Sequence, residues 1–185
     1  AYIGVMIDDL INKESEEPYR IFTSLAEFRL LLRQDNAYKR LSNYGYQLGL
    51  LTEKDIIKLN QSEYLSEKLV VLSQESKINP KEINSYLQEV GETPLSSTTT
   101  LNTIAKRQKT SLKALFKESN IHIPFPTNSI FFEKAEIEIK YEGYIQRQLI
   151  EVEMFKQTES KIIPKNIDYQ SIKSLSAEAR EKLVK

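Results

Sequence analysis

One stretch of the chain carries several cations and no anion. From Thr93 to Lys117 there is no aspartate or glutamate. The basic residues in the second half of this stretch are Lys106, Arg107, Lys109, Lys113 and Lys117. Because lysine and arginine bind phosphate oxygens, an acid-free cluster of them predicts contact with a nucleic-acid backbone. The alternative is an ordinary solvated face, on which lysines are common.

A second group of candidate residues lies on a long helix predicted from about Ile130 to Glu159. Lys140, Tyr144 and Arg147 could contact phosphate or stack on bases, or they could form the rim of a helix pair. Gly143 stands among them, where glycine costs about 1 kcal/mol relative to alanine. That cost predicts a close approach to the backbone, preferably by another helix of the same chain and alternatively by a partner or an RNA backbone.

Four arginines form a third group, in or just after the apolar and charged stretch from Glu17 to Asn36. They are Arg20, Arg29, Arg33 and Arg40. We expect them to be mainly structural, paired with Glu17, Glu27 and Asp35, because a guanidinium near an apolar surface needs a partner. Residues 28–33 allow either a strand or a helix, and the alternation of Phe28, Leu30 and Leu32 favours a strand.

Composition excludes several kinds of chemistry. The 185 residues include no cysteine and one histidine, so the sequence predicts no thiolate metal site, no cysteine catalysis and no catalytic residue. The five glycines form no phosphate-cradling motif, so we expect the chain alone to bind no cofactor. The net charge is zero, and no apolar run approaches the ~20 residues of a membrane span. We expect neither a membrane nor DNA as a partner.

The remaining pattern predicts a mainly α fold. A strand is expected from Tyr2 to Leu10, and the chain from residue 36 onward reads as helix. Helices are expected after Asn36, from a capping box at Thr52 to about Gln74, from Pro80, over about 101–106 and 111–118, over 130–159, and after Ser176. On the helix after Thr52, Ile57, Tyr64 and Val71 repeat every seven residues and are flanked by Leu65, Leu69 and Leu72. This apolar stripe is the expected core or helix-pairing face. The predicted domains are residues 1–35, extended, and residues 36–185, helical.

Three segments resemble the MnmG (GidA) family of tRNA-modifying flavoproteins. Residues 1–10 (AYIGVMIDDL) and 17–37 (EPYRIFTSLAEFRLLLRQDNA) follow the family pattern closely, and residues 140–148 (KYEGYIQRQ) give a second match in the right order. Single departures occur at Leu25, Gln34, Tyr38 and Ser174, of which Leu25 replaces an arginine. The chain begins at Ala1 within a predicted strand, and the family's last motif is missing. We therefore expect a C-terminal fragment that is truncated at its end.

The resemblance implies a parent enzyme that uses FAD and NADH. It implies that the parent acts as a cytoplasmic homodimer with the GTPase MnmE, at carbon 5 of the wobble uridine of tRNA. Residues 1–35 would then be the end of the flavin-binding domain, and the helical domain would supply tRNA and partner binding without catalysing the reaction. The alternative is a helical protein-interaction module without RNA binding, and a tRNA titration at several salt concentrations separates the two.

Overall fold

A computed structural model of the chain describes residues 2–12, 18–22, 26, 28–159, 161–162, 167–172 and 174–184. They form two compact units, Ala1–Gln148 and Leu149–Lys185. The sequence did not predict a division between Gln148 and Leu149. The domain boundary expected after residue 35 stays a prediction. Within the described residues, no helix has the length and apolar character needed to cross a membrane.

The described chain is mainly helical, as predicted, with one short antiparallel pair of strands. Its elements are α1 (Tyr2–Asn12), α2 (Ala37–Gln47), α3 (Glu53–Glu75), β1 (Lys77–Ile78), α4 (Pro80–Glu89), β2 (Thr99–Thr100), α5 (Leu101–Ala105), α6 (Leu112–Glu118), α7 (Ser129–Glu159) and α8 (Ala177–Val184). The two strands pair Lys77 with Thr100 and Ile78 with Thr99. This pairing brings the start of α5 to the end of α3, where the Leu101 N–H donates to the Ser76 carbonyl.

The predicted strand at the start of the chain is wrong, because residues 2–12 form α1. A short apolar run cannot be assigned to strand or helix by periodicity alone. As a helix it satisfies its backbone internally, and among the described residues the two short strands pair with each other rather than with it. Asp9 on α1 is buried and accepts a hydrogen bond from the Tyr19 hydroxyl at 2.9 Å.

The strand predicted over residues 28–33 is also wrong. These residues form successive turns, in which Leu31 N–H donates to Phe28 O at 2.9 Å and Leu32 N–H to Arg29 O at 3.2 Å. The alternation of apolar residues here reflects packing of a compact turn rather than a pleated edge. We call residues 28–36 the arginine turn.

Helix boundaries set by local capping are confirmed. Thr52 and Asp55 form the predicted capping box at the start of α3. The Glu82 side chain accepts from the backbone N–H of Asn79 at 3.0 Å at the start of α4, which has Pro80 at its first position. Such boxes involve residues three apart, so the sequence alone contains all the information they need.

The core of the first unit lies between α3, α4, α5, α6 and the first half of α7. Its fully or nearly fully buried side chains are Leu69, Ile78, Ile83, Leu87, Leu101, Ile104, Ala105, Leu112, Leu115, Phe116, Phe132, Ala135 and Ile139. The apolar stripe predicted on α3 is confirmed only on one side. Its central line of Ile57, Tyr64 and Val71 is exposed, whereas the flanking residues Leu65 and Leu69 are buried. Past Ile139, no described residue of α7 is buried, and Tyr141, Gly143 and Tyr144 are exposed.

Candidate nucleic-acid interface

The segment of residues 106–117, here called the basic segment, links α5 to α6 and includes most of α6. The Arg107 guanidinium donates to the Thr93 carbonyl. Lys109 Nζ donates to the Gly91 carbonyl at 3.2 Å. Both acceptors are neutral carbonyls, so neither of these contacts pairs a cation with a carboxylate.

Acids that are distant in sequence nevertheless lie beside this segment. Lys106 Nζ is 2.7 Å from Glu142 Oε2 on α7. Glu136, also on α7, accepts from the backbone N–H of Leu112 at 2.8 Å, and Glu92 accepts from that of Lys109 at 3.0 Å. The acid-free stretch in the sequence is therefore not an acid-free surface. Since Lys106 and Glu142 are both about half exposed, their pair is weak and does not remove Lys106 from solvent.

Two lysines of α6 remain candidates for contact with phosphate. Lys113 and Lys117 are exposed and lie one helical turn apart. Among the described residues, neither has an ion pair. These two side chains are the ones in the basic segment that are most available to an external phosphate.

Lys140 has a different role from the one predicted. Its Nζ donates to Thr110 O at 2.7 Å, to Glu136 Oε1 at 2.7 Å and to Gln108 O at 3.3 Å. An ammonium group has three N–H donors, so all of them are used within the chain. We therefore reassign Lys140 from a phosphate contact to a support that holds the loop before α6 against α7.

Tyr144 and Arg147 lie on the exposed turn of α7 that follows the core. Tyr144 is 56% exposed, and the Arg147 guanidinium is 5.2 Å from the centre of its ring. Arg147 Nε also donates to the Gly143 carbonyl at 3.3 Å. The ring of Tyr141 lies 6.3 Å from that of Tyr144, tilted by 54°.

The prediction that another helix of the chain closely approaches Gly143 is wrong for the described residues. A Cβ placed on Gly143 would meet nothing within 4 Å, and the residue is exposed. The buried face of α7 passes through Ala135 and Ile139, and the core stops before it reaches Gly143. The alternative, approach by a partner or an RNA backbone, stays a prediction.

The arginine turn holds its cations locally. Arg33 forms a bidentate pair with Asp35, with Nε–Oδ1 at 2.9 Å and Nη2–Oδ2 at 2.8 Å, and its Nη1 donates to Leu30 O at 2.9 Å. The hydrogen bonds from Arg33 hold the pKa of Asp35 below its usual value. Arg40 donates to Asn36 Oδ1 at 2.8 Å and to the Arg33 carbonyl at 3.3 Å.

The structural role predicted for the other two arginines stays a prediction. Arg20 is exposed over the Phe22 ring at 5.4 Å, and Arg29 is exposed. Their predicted partners Glu17 and Glu27 lie outside the described residues, as does Leu25.

One contact that sequence reasoning missed joins the two matched motifs. The Arg33 guanidinium lies 5.7 Å from the centre of the Tyr141 ring. The arginine turn thus packs against α7, where a cavity of about 200 Å³ is lined by residues of both and of α3, among them Arg33, Asp35, Glu63, Lys134 and Glu138. In the sequence, this contact is indicated only by the fact that residues 17–37 and 140–148 match the same family.

Two family models match the chain from the start of α3 onward. The model of the tRNA modifying enzyme MnmG/GidA C-terminal helical domain matches residues 53–149, and that of the MnmG/GidA C-terminal helical bundle matches residues 151–185. The division between the two models falls where the chain divides into its two units. The fold and these matches define the C-terminal helical region of a tRNA-modifying enzyme.

Curated relatives and solved structures agree. The chain is 44% identical over 184 residues to the tRNA uridine 5-carboxymethylaminomethyl modification enzyme MnmG of Caldicellulosiruptor saccharolyticus, and 45% identical over 188 residues to that of Clostridium botulinum. These two alignments include 99% and 100% of this chain, respectively, and 29% of each relative. Aquifex aeolicus GidA in its form II crystal aligns with 99% of this chain and 28% of its own, at 35% identity and a TM-score of 0.68. The chain belongs to the MnmG (GidA) family and spans less than a third of the length of these relatives.

Proposed function

We propose that this chain contacts tRNA on behalf of an MnmG enzyme that modifies carbon 5 of the wobble uridine. The single observation that supports this most is a set of exposed cations that have no ion pair among the described residues: Lys113 and Lys117 on α6 and Arg147 on α7. Arg147 also lies beside the exposed ring of Tyr144. Phosphates and bases are the ligands that such a mixture of cations and aromatic rings fits.

In this proposal the redox chemistry belongs to other parts of the parent enzyme. FAD and NADH would bind there, because this sequence has no glycine-rich phosphate loop and no cysteine. The parent would act in the cytoplasm as a homodimer together with the GTPase MnmE. The described residues include no group of three or more His, Cys, Asp or Glu that could hold a metal ion.

The test is a titration of the purified chain with tRNA at several salt concentrations. We expect saturable binding whose affinity falls linearly with the logarithm of salt concentration, because each phosphate contact releases counterions. Absence of binding at low salt would overturn the proposal.

Partner binding without RNA contact is the second candidate. Exposed apolar side chains favour it: Ile3, Ile7, Leu10 and Ile11 on α1, and Ile150, Met154 and Phe155 on α7. Scattered apolar residues are normal on protein surfaces, whereas clusters of this kind mark contacts with other proteins. A titration with MnmE in the absence of tRNA tests it, and binding to MnmE alone would favour the interaction module.

A further inference from the structure

We propose that Tyr141 and Tyr144, held by Arg33 and Arg147, form a stacking site for an unpaired base of the bound RNA. This inference rests on the proposed contact with tRNA and specifies which feature of the RNA is recognised. We call the four side chains the tyrosine ladder.

The ladder places two neighbouring rings between two cations. Arg33 lies 5.7 Å from the ring centre of Tyr141, Tyr141 lies 6.3 Å from Tyr144, and Arg147 lies 5.2 Å from the ring centre of Tyr144. These are the distances of cation–π and aromatic contacts. Guanidinium groups and aromatic rings are both flat surfaces on which nucleobases stack.

One end of the ladder is fixed before any ligand arrives. The Arg33 guanidinium is held by two hydrogen-bonded atoms of Asp35 and by the Leu30 carbonyl, and its side chain is only 17% exposed. Tyr141 therefore packs against a support that does not need to be ordered on binding. Preorganised groups lose less conformational entropy when they bind.

The other end is open. Tyr144 is more than half exposed, and Gly143 beside it leaves the helix backbone uncovered, with nothing within 4 Å of where a Cβ would stand. A side chain here would cover the surface on which a flat ligand could lie. A glycine in mid-helix costs stability, and access for a ligand is a physical reason for keeping it.

The ladder lies on the same helix that contacts the start of α6. Glu136 on α7 accepts from the start of α6, and Tyr144 lies eight residues further along the same helix, about 12 Å away by helical rise. Unpaired RNA with its backbone near Lys113 could thus place a base on the ladder. Arg147 has no ion pair among the described residues and places positive charge beside the Tyr144 ring, which favours an RNA ligand over an apolar protein surface.

The test compares Tyr144→Leu, which removes the ring, with Tyr144→Phe, which keeps it. The probes are a stem-loop RNA with 2-aminopurine in its unpaired loop and a fully paired duplex of the same stem. We expect Tyr144→Leu to weaken stem-loop binding about tenfold and to relieve the fluorescence quenching of 2-aminopurine. Tyr144→Phe should behave like the wild type, and neither change should affect duplex binding or the salt slope. Thermal melting checks that the variants fold.

Gly143→Ala provides an independent variant. Alanine favours the helix, and the space for its Cβ is open, so the melting temperature should not fall. If a base lies over this turn, stem-loop binding should nevertheless weaken.

Unchanged stem-loop affinity and quenching in Tyr144→Leu, with wild-type RNA binding intact, would overturn the ladder and leave the proposed tRNA contact standing. Failure of the wild-type chain to bind either RNA would overturn both. Loss of MnmE binding without loss of stem-loop binding would assign the ladder to a protein partner and so overturn it.

Discussion

The arginine turn and the basic segment contain the same kinds of side chain but hold them differently. Arg33 has an acid two residues away, and that acid completes its hydrogen bonds in a part-buried setting. Lys113 has no ion pair among the described residues and points into solvent from an exposed helix face. Between these extremes, Lys140 is satisfied by two carbonyls and a carboxylate. A cation is thus available to a ligand only when the fold leaves its N–H donors without partners. The number of basic residues in a sequence segment does not show which of them have partners.

Replacement of Arg33 should have the largest effect. We expect Arg33→Ala to lower the free energy of unfolding by about 1–3 kcal/mol, because it leaves the part-buried Asp35 carboxylate and the Leu30 carbonyl without their donor. Urea denaturation measures the change. Arg20→Ala is the matched control, since Arg20 is exposed over Phe22 and its loss should change stability little. Equal effects of the two changes would remove the distinction between held and free arginines.

Lys140→Met should have a smaller effect of the same kind. Methionine keeps the length and apolar stem of lysine but has no donor for Thr110 O and Gln108 O, so we expect a loss of about 1–2 kcal/mol in unfolding free energy. Lys113→Met, also on a helix, should change stability by less than about 0.5 kcal/mol because the side chain is exposed. If Lys140→Met is as stable as the wild type and binds tRNA less tightly, Lys140 returns to the phosphate-binding set.

The Arg33–Asp35 pair also predicts a pH dependence. Its hydrogen bonds lower the pKa of Asp35 in the folded chain relative to the unfolded chain. A lowered folded-state pKa gives stability that is present above the unfolded value of roughly 4 and is lost as pH falls through the folded value. The difference in unfolding free energy between wild type and Asp35→Asn should therefore shrink as pH falls from neutral to below roughly 4. A difference that is constant over this range would contradict the pairing.

Sequence reasoning succeeded where the determining residues are neighbours in the chain. The capping boxes at Thr52 and Asn79 set their helix starts through contacts three residues away, and the Arg33–Asp35 pair spans two. Residues 2–12 were misassigned because a short apolar run is compatible with both a strand and a helix.

Contacts between distant segments were not predictable in this way. The ion pair between Lys106 and Glu142 and the contact of Arg33 with the Tyr141 ring exist only after α7 packs beside α5, α6 and the arginine turn. The exposure of Gly143 has the same origin, because the sequence shows the helix continuing but not where the core beneath it ends.

The most direct test of the account is the salt dependence of tRNA affinity in two matched double variants. Lys113→Ala/Lys117→Ala removes exposed lysines one turn apart on α6, and Lys54→Ala/Lys58→Ala removes an equally spaced exposed pair near the start of α3. Lys58 lines a cavity with Ile130 and Phe131 at the beginning of α7, about 25 Å along that helix from Arg147. We expect the α6 variant to bind tRNA more weakly at low salt, with a salt slope reduced by about two, while the α3 variant matches the wild type. Identical affinities and slopes in both variants and the wild type would contradict the claim that this surface contacts the tRNA backbone.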